Sequence, residues 1–413
     1  MKRTINLLQE FSIPLIVGVV LALIWANLSP ESYHHVVHSE IIGGLTLHFL
    51  VNDIFMVFFF AMAAVEITQS LLPGGDLYPL KRSVNPLMAT FGGVLGPVAV
   101  FFILNHFFGG PEFLHGWGIP TATDIALAWL IARVVFGSHH PAVSFLLLLA
   151  IVDDGIGLLI IAIFYTDPLN PLAPQWLLMT LAGMLAAFLL KKAKVNNYWP
   201  YLIIGGTLSW IGLFMTGVHS ALALVFIVPF LPAARHERLG LFEDDSCDVS
   251  TLEQFQGEWK LFVDFGLLFF GLTNAGVQLY GISRLTWFIF AALLIGKTVG
   301  IFFMGILAEW MGFPLPKGMY KRDLFVAGIV ASVGLTVALF VAGVAFTDPT
   351  LQGAAKMGAL FSAFSAILSI ASGKVLKIKK VTTTDKLSCS FNPEIETPVE
   401  NLISSDDKSR PKA

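Results

Sequence analysis

Two adjacent carboxylates, Asp153 and Asp154, stand in the middle of an otherwise uncharged apolar run from Ser144 to Phe164. A charged side chain at mid-bilayer costs at least about 2.5–3.5 kcal/mol, so it persists only with a partner, water or a task. Neighbouring helical positions point about 100° apart, which lets one carboxylate face a cavity while the other reaches a second helix. Two acids this close repel when both are ionised, so they suit proton chemistry. The competing reading is a helix break in which both aspartates cap a following half-helix.

A single lysine, Lys297, lies within the apolar run Leu294-Ile295-Gly296-Lys297-Thr298-Val299-Gly300. A lone ammonium there needs a carboxylate, and Asp153 or Asp154 can supply it; snorkelling to the interface is the alternative. The two flanking glycines allow another backbone to approach closely. A third ionisable group, Asp124, follows Pro120, Thr121 and Thr123 in a segment that should be helical at membrane depth. Thr and Asp cap helix starts, and unwound backbone is tolerated in a membrane only where it lines a cavity or is buried in protein. Asp124 is therefore either part of a site or only a structural cap. A second Gly/Ser/Thr interruption occurs at Ala331-Ser332-Val333-Gly334-Leu335-Thr336.

These groups need a scaffold, and the composition says which kind. Of 413 residues, 56% are hydrophobic and 13% charged, against roughly 45–50% and about 25% in a soluble domain. A net charge of -3, with no basic stripe, argues against nucleic acid as a partner. Cys247 and Cys389 lie in polar segments, which excludes a disulfide framework or a paired-cysteine metal site. No ATP-binding motif is present.

A bilayer core about 30 Å thick needs roughly 20 apolar residues per helix. Such stretches are expected near 12–28, 52–70, 88–107, 119–134, 142–165, 175–190, 198–216, 218–231, 261–279, 286–310, 324–346 and 354–376. Long continuous runs exclude a transmembrane β-barrel, which alternates. Lys and Arg alternate between loops as cytoplasmic enrichment requires, if both termini are inside. The outer loops then hold only Arg284 and Lys356, and Lys297 is the one basic residue within the apolar region. The basic N-terminus with its apolar run is read as a first helix and not as a cleaved signal peptide. Residues 1–380 thus form one transmembrane domain, and the polar segment 381–413 a disordered cytoplasmic tail. The acidic run Glu243, Asp244, Asp245 and Asp248 reads as solvated surface, since its spacing matches no calcium loop. Segments 88–165 and 286–376 share a plan of three helices with the middle one interrupted. Paired interruptions of this kind mark inverted-repeat transporters.

The motifs Ala122-Thr123-Asp124-Ile125-Ala126, Ala150-Ile151-Val152-Asp153-Asp154, Gly217-Val218-His219, Thr273-Asn274-Ala275-Gly276-Val277 and Ile295-Gly296-Lys297 resemble those of the bacterial sodium/proton antiporter family NhaA, over about residues 8 to 378. That family is itself a standard example of the inverted-repeat architecture. The resemblance implies an all-α polytopic fold of about twelve transmembrane helices, with an inverted repeat and two interrupted, crossing helices. It implies that Asp153 and Asp154 bind the ion and proton, that Lys297 pairs with Asp153, and that Thr123, Asp124, Gly334 and Thr336 support the crossing. Asp53 and Glu66 would line the ion path. It further implies exchange of Na+ or Li+ for protons across the inner membrane for sodium and pH homeostasis, without a cofactor, in a homodimer.

The chain also departs from the family pattern. Ile67-Thr68-Gln69-Ser70 follows Glu66 where basic residues and a glutamate are usual, which puts pH regulation in question. Glu253 matches a regulatory acidic position only after an insertion, and Leu335 replaces an aromatic. Asp264 with Lys260 reads as a surface pair at a helix end, His219 as a capping residue and Glu309 as interfacial. Two other functions compete with exchange. One is a sodium-coupled organic-anion symporter of the same fold, against which the two carboxylates argue. The other is an intramembrane aspartyl protease using Asp124 and Asp154, which leaves Lys297 without a role.

Overall fold

The computed structural model describes residues 12–42, 45–72, 80–165, 173–233 and 250–380. Lys2 and Arg3, the acidic run with Cys247, and the expected tail 381–413 with Cys389 lie outside the described residues.

The described residues are mostly helical, joined by turns and irregular segments, with a small antiparallel hairpin, β1 (Glu40–Ile42) and β2 (Leu45–Thr46), which the sequence does not announce. It follows α1 (Ile13–Leu28) and α2 (Pro30–His38) and precedes the long apolar α3 (Leu47–Leu71). Next come α4 (Leu80–Phe108), a 3-10 segment (Pro111–Thr121), α5 (Ile125–Phe136) and α6 (Pro141–Phe164). Pro141 occupies the first turn of α6, where its missing N–H costs nothing, and His140 caps that turn through the Ala142 N–H (3.1 Å). After α7 (Leu177–Lys192) and α8 (Tyr201–Thr216) comes α9 (Thr251–Asn274), opened by a capping box between Ser250 and Glu253. The chain continues with α10 (Arg284–Trp310), α11 (Lys321–Ala331), α12 (Thr336–Ala345) and α13 (Pro349–Val375).

Six of these helices are long and apolar enough to cross a membrane, or up to eight if each bent pair is one span. The pairs are the 3-10 segment with α5, bent by 57°, and α11 with α12, bent by 48°. They coincide with the two interruptions read from Pro120–Asp124 and Ser332–Leu335. The protein is thus an all-α polytopic membrane protein.

One expected span changes character. Over 218–231 the chain forms short 3-10 turns, Ser220–Leu222 and Val228–Phe230, and no α-helix. Its residues are largely buried, so burial in protein and not exposure to lipid explains the apolar composition.

Packing places the breaks together. α4 lies along α10, and the 3-10 segment packs on α12 while α5 touches α11. The α4–α10 contact is a glycine seam: a Cβ on Gly92 would sit 2.1 Å from Gly300 O, and one on Gly96 2.2 Å from Gly296 O. The glycines flanking Lys297 therefore serve close backbone approach, as small residues do in bilayer interfaces. Tyr165 secures the 3-10 segment to the end of α6 by donating to His115 O (2.7 Å) and accepting from Gly118 N (2.8 Å).

Candidate functional site

Lys297 ends a π-helical turn, Ala292–Lys297, inside α10. The extra residue of such a turn re-aims the side chains beyond it, and π turns are frequent at functional sites. The Lys297 ammonium donates to Asp153 Oδ2 (2.6 Å) and to Thr121 O (2.6 Å), and both charged side chains are fully buried. Of the two carboxylates open to it from sequence, Lys297 takes Asp153. It also meets the carbonyl at the end of the 3-10 segment, where the partial negative charge of a helix terminus collects. Removing one partner of such a pair would strand a buried charge at a cost of about 3–5 kcal/mol.

Thr123 Oγ1 lies 2.7 Å from Asp153 Oδ2 and 2.9 Å from Ala331 O, so its one proton serves the carboxylate or the last carbonyl of α11. Asp124 spans both breaks. Its Oδ1 accepts from Leu127 N (3.1 Å) at the start of α5, its Oδ2 from Thr336 N (3.3 Å) at the start of α12, and its own N–H donates to Val333 O (2.8 Å). Two helix N-termini, each equivalent to about half a positive charge, thus face one carboxylate. Gly334 is where the unwound chains touch: a Cβ there would lie 2.5 Å from Ala122 O, which excludes any other residue without a backbone shift.

Asp154 is one residue from the ion pair but outside it. Its Oδ1 is buried without a hydrogen-bond partner among the described residues, as is Asp153 Oδ1. Asp154 lines a cavity of about 140 Å³ together with Glu66, Asp124, Thr336, Lys260 and Asp264. Lys260 and Asp264 are therefore not a pair confined to the surface at a helix end; they stand well inside α9 and face this cavity. At the same level Gln69 donates to Gln256 (2.8 Å), so the departure after Glu66 becomes a neutral link between α3 and α9.

Asp53 lies elsewhere. It sits in a second π turn, Leu50–Phe55, accepts from Ser220 Oγ (2.8 Å), and lines a cavity of about 560 Å³ with His48, Asn52, His219 and Asn274. The two cavities occupy opposite ends of the same helices: along α12, Thr336 faces the first and Phe340 the second. Phe340 packs edge-on against Phe60 (5.1 Å) and His219 (4.8 Å). His219 accepts from Ala221 N (3.3 Å), as a capping residue does. Glu253 is engaged in its capping box with Ser250 and does not line either cavity. Glu309 makes a partly exposed pair with Lys321 (3.5 Å).

Sequence reading missed several contributors. Asn52 and Asn274 pair through their amides (2.9 Å), and Ser362 accepts from Gly334 N (3.2 Å). Lys356, expected in an outer loop, lies inside α13 and is only 7% exposed. Its neighbourhood, Pro349 to Gln352, is polar enough to read as a loop, and only packing shows that the helix is buried.

The arrangement defines a polytopic membrane protein with a charged site buried where two broken helices meet. A family model described as "Na+/H+ antiporter 1" matches residues 3–372. The chain is 70% identical over 383 residues to the "Na(+)/H(+) antiporter NhaA" of Desulfitobacterium hafniense, covering 93% of this chain and 98% of that one. It is 61% identical over 382 residues to "Na(+)/H(+) antiporter NhaA 1" of Pelobacter propionicus, covering 92% and 100%. It is 58% identical over 381 residues to the NhaA of Geobacter sulfurreducens, with the same coverage. The chain belongs to the Na+/H+ antiporter 1 family.

Proposed function

We propose that the protein is a secondary antiporter that exchanges Na+ or Li+ for protons across the bacterial inner membrane, driven by the proton gradient, and is not an enzyme. The observation that carries this is the unbonded oxygen of Asp154, which lines a cavity beside an aspartate already matched by lysine. A hard cation seeks carboxylate oxygen. A proton and a cation would therefore compete for Asp154 and for the free oxygen of Asp153, so each side of the membrane sees one loaded form or the other. Cation binding to Asp153 loosens its claim on Lys297, which gives that ammonium a route to release a proton. Asp124 takes no part as a protease dyad member, because both its oxygens are engaged at helix starts.

In this reading α4, the first broken pair and α6 form one half of an inverted repeat, and α10, the second broken pair and α13 the other. Their broken members cross at Asp124 and Gly334. Counting each broken pair and the Ser220–Phe230 turns as one pass each gives about twelve passes with both termini cytoplasmic. The Asp154 cavity then faces the cytoplasm, with Glu66 on the ion path, and the Asp53 cavity faces outward. The homodimer and the cytoplasmic tail belong to the same reading.

The test is the transmembrane pH gradient in everted vesicles, followed by a fluorescent dye as Na+, Li+ or K+ is added across a pH series. Wild type collapses the gradient with Na+ or Li+, and Asp154→Asn does not although it is present and folded. A gradient indifferent to every cation in wild type would leave the fold and remove the function.

A further inference from the structure

The buried lysines among the described residues are Lys297 and Lys356. Lys297 has Asp153 and Thr121 O. Lys356 makes no hydrogen bond or ion pair with a described residue, although a buried charge is expected to be matched. Its stem lies against Gly343: a Cβ built there would be 4.0 Å from Lys356 Cε and 3.9 Å from Asn274 Oδ1. Both Gly343 and Asn274 line the Asp53 cavity. Gln352, one turn before Lys356, fixes this wall by donating to Gly343 O (2.9 Å) and Phe346 O (3.1 Å). The Lys356 charge is felt as far as His38, which stacks on His34 (4.4 Å) and on His48 (5.5 Å), a residue that lines the cavity. Burial first, then His34 and Lys356, hold the His38 imidazole below its usual pKa.

A cation moving between Asp154 and Asp53 thus meets a carboxylate with an unmatched ammonium directly behind the wall that Gly343 and Asn274 form. Asp53 alone would retain the cation at the exit. We infer that Lys356 is a specificity-determining residue of the exchange, offsetting Asp53 so that Na+ binds weakly on that side and is released. The inference rests on the antiport reading above. In general, a like unit charge about 10 Å from a monovalent cation, at an effective dielectric of about 20, weakens binding about tenfold, which sets the scale of the effect.

The experiment compares Na+ dependence of exchange in right-side-out and everted vesicles for wild type, Lys356→Gln, Lys356→Met and Lys356→Arg. The Met variant keeps the length of the stem and buries no charge, so it guards against a folding failure of the Gln variant. With the charge removed, the half-saturating Na+ concentration on the Asp53 side falls about tenfold, the value on the Asp154 side is unchanged, and Lys356→Arg behaves as wild type. Equal shifts on both faces, no shift, or an Arg variant indistinguishable from Gln would overturn the inference and leave Lys356 as a packing residue. Wild-type vesicles that show no more cation-driven proton flux than Asp154→Asn would sink the antiport reading itself and this inference with it.

Discussion

At the first break Pro120, Thr121, Thr123 and Asp124 supply a fixed backbone angle, two hydroxyls and a carboxylate. At the second, Ser332, Val333, Gly334 and Leu335 supply one hydroxyl, used locally on Ile329 O (2.7 Å), and an empty place where Ala122 O fits. The bends are similar, 57° and 48°, but the chemistry is on one side only. One carboxylate serves the helix starts of both breaks, and one threonine stands within hydrogen-bond reach of the last carbonyl before the second. The two interruptions need not be chemically equivalent to work as a pair: one provides groups and the other provides room for them.

If that division holds, damage to the first break should propagate to the second. Asp124→Ala removes acceptors from two helix starts, so it should destabilise the folded protein by about 1–4 kcal/mol, two caps at about 0.5–2 each. Asp124→Asn keeps one acceptor oxygen and should lose about half as much. Thermal unfolding in detergent reads this, and an Ala variant no worse than Asn would mean that Asp124 holds only one helix. Gly334→Ala tests the other half of the comparison. Its Cβ forces the Ala122 carbonyl to move, which should cost about 1–3 kcal/mol. Transport should slow more than stability suffers, and normal exchange in the variant would show that the close approach is incidental.

The smallest effect is expected away from both breaks, where His140 and Asp323 (3.9 Å) join the start of α6 to the start of α11. Burial holds the His140 pKa below its ordinary value, against the opposing pull of Asp323, which is itself 3.7 Å from Arg322. A base whose folded pKa is lowered contributes stability in full above about pH 6.5, its unfolded pKa, and loses it as pH falls toward the folded value. The unfolding temperature should therefore decline from pH 7 to pH 5, and less steeply in His140→Gln. Equal slopes would assign the decline to other groups.

Much of the site was legible because charge inside an apolar run is costly wherever the chain goes. That argument found Asp153, Asp154, Lys297 and Asp124 without any contact being known. It left open whether Lys297 takes Asp153 or Asp154, since that choice is made by three-dimensional packing, including a π turn at Ala292–Lys297, that no hydropathy pattern signals. The same π geometry places Asp53. Lys356 was misplaced because the start of α13 is locally polar, and the helix over 218–231 was expected because hydropathy cannot separate burial in lipid from burial in protein. Gly334 was noticed as an interruption, but only the approach of Ala122 explains why it must be glycine.

The pairing of Lys297 with Asp153, and not with Asp154, bears on leakage. In the antiport reading proposed above, when neither proton nor cation is aboard, Lys297 and Asp153 cancel while Asp154 carries one unmatched negative charge. Carrying that charge past the apolar packing of Phe60 and Phe340 costs more than carrying either loaded form. The vacant carrier is thus the form least able to slip, so a gradient is not dissipated by cycles that move nothing. In that reading, fidelity of exchange follows from which of two neighbouring carboxylates the lysine leaves alone.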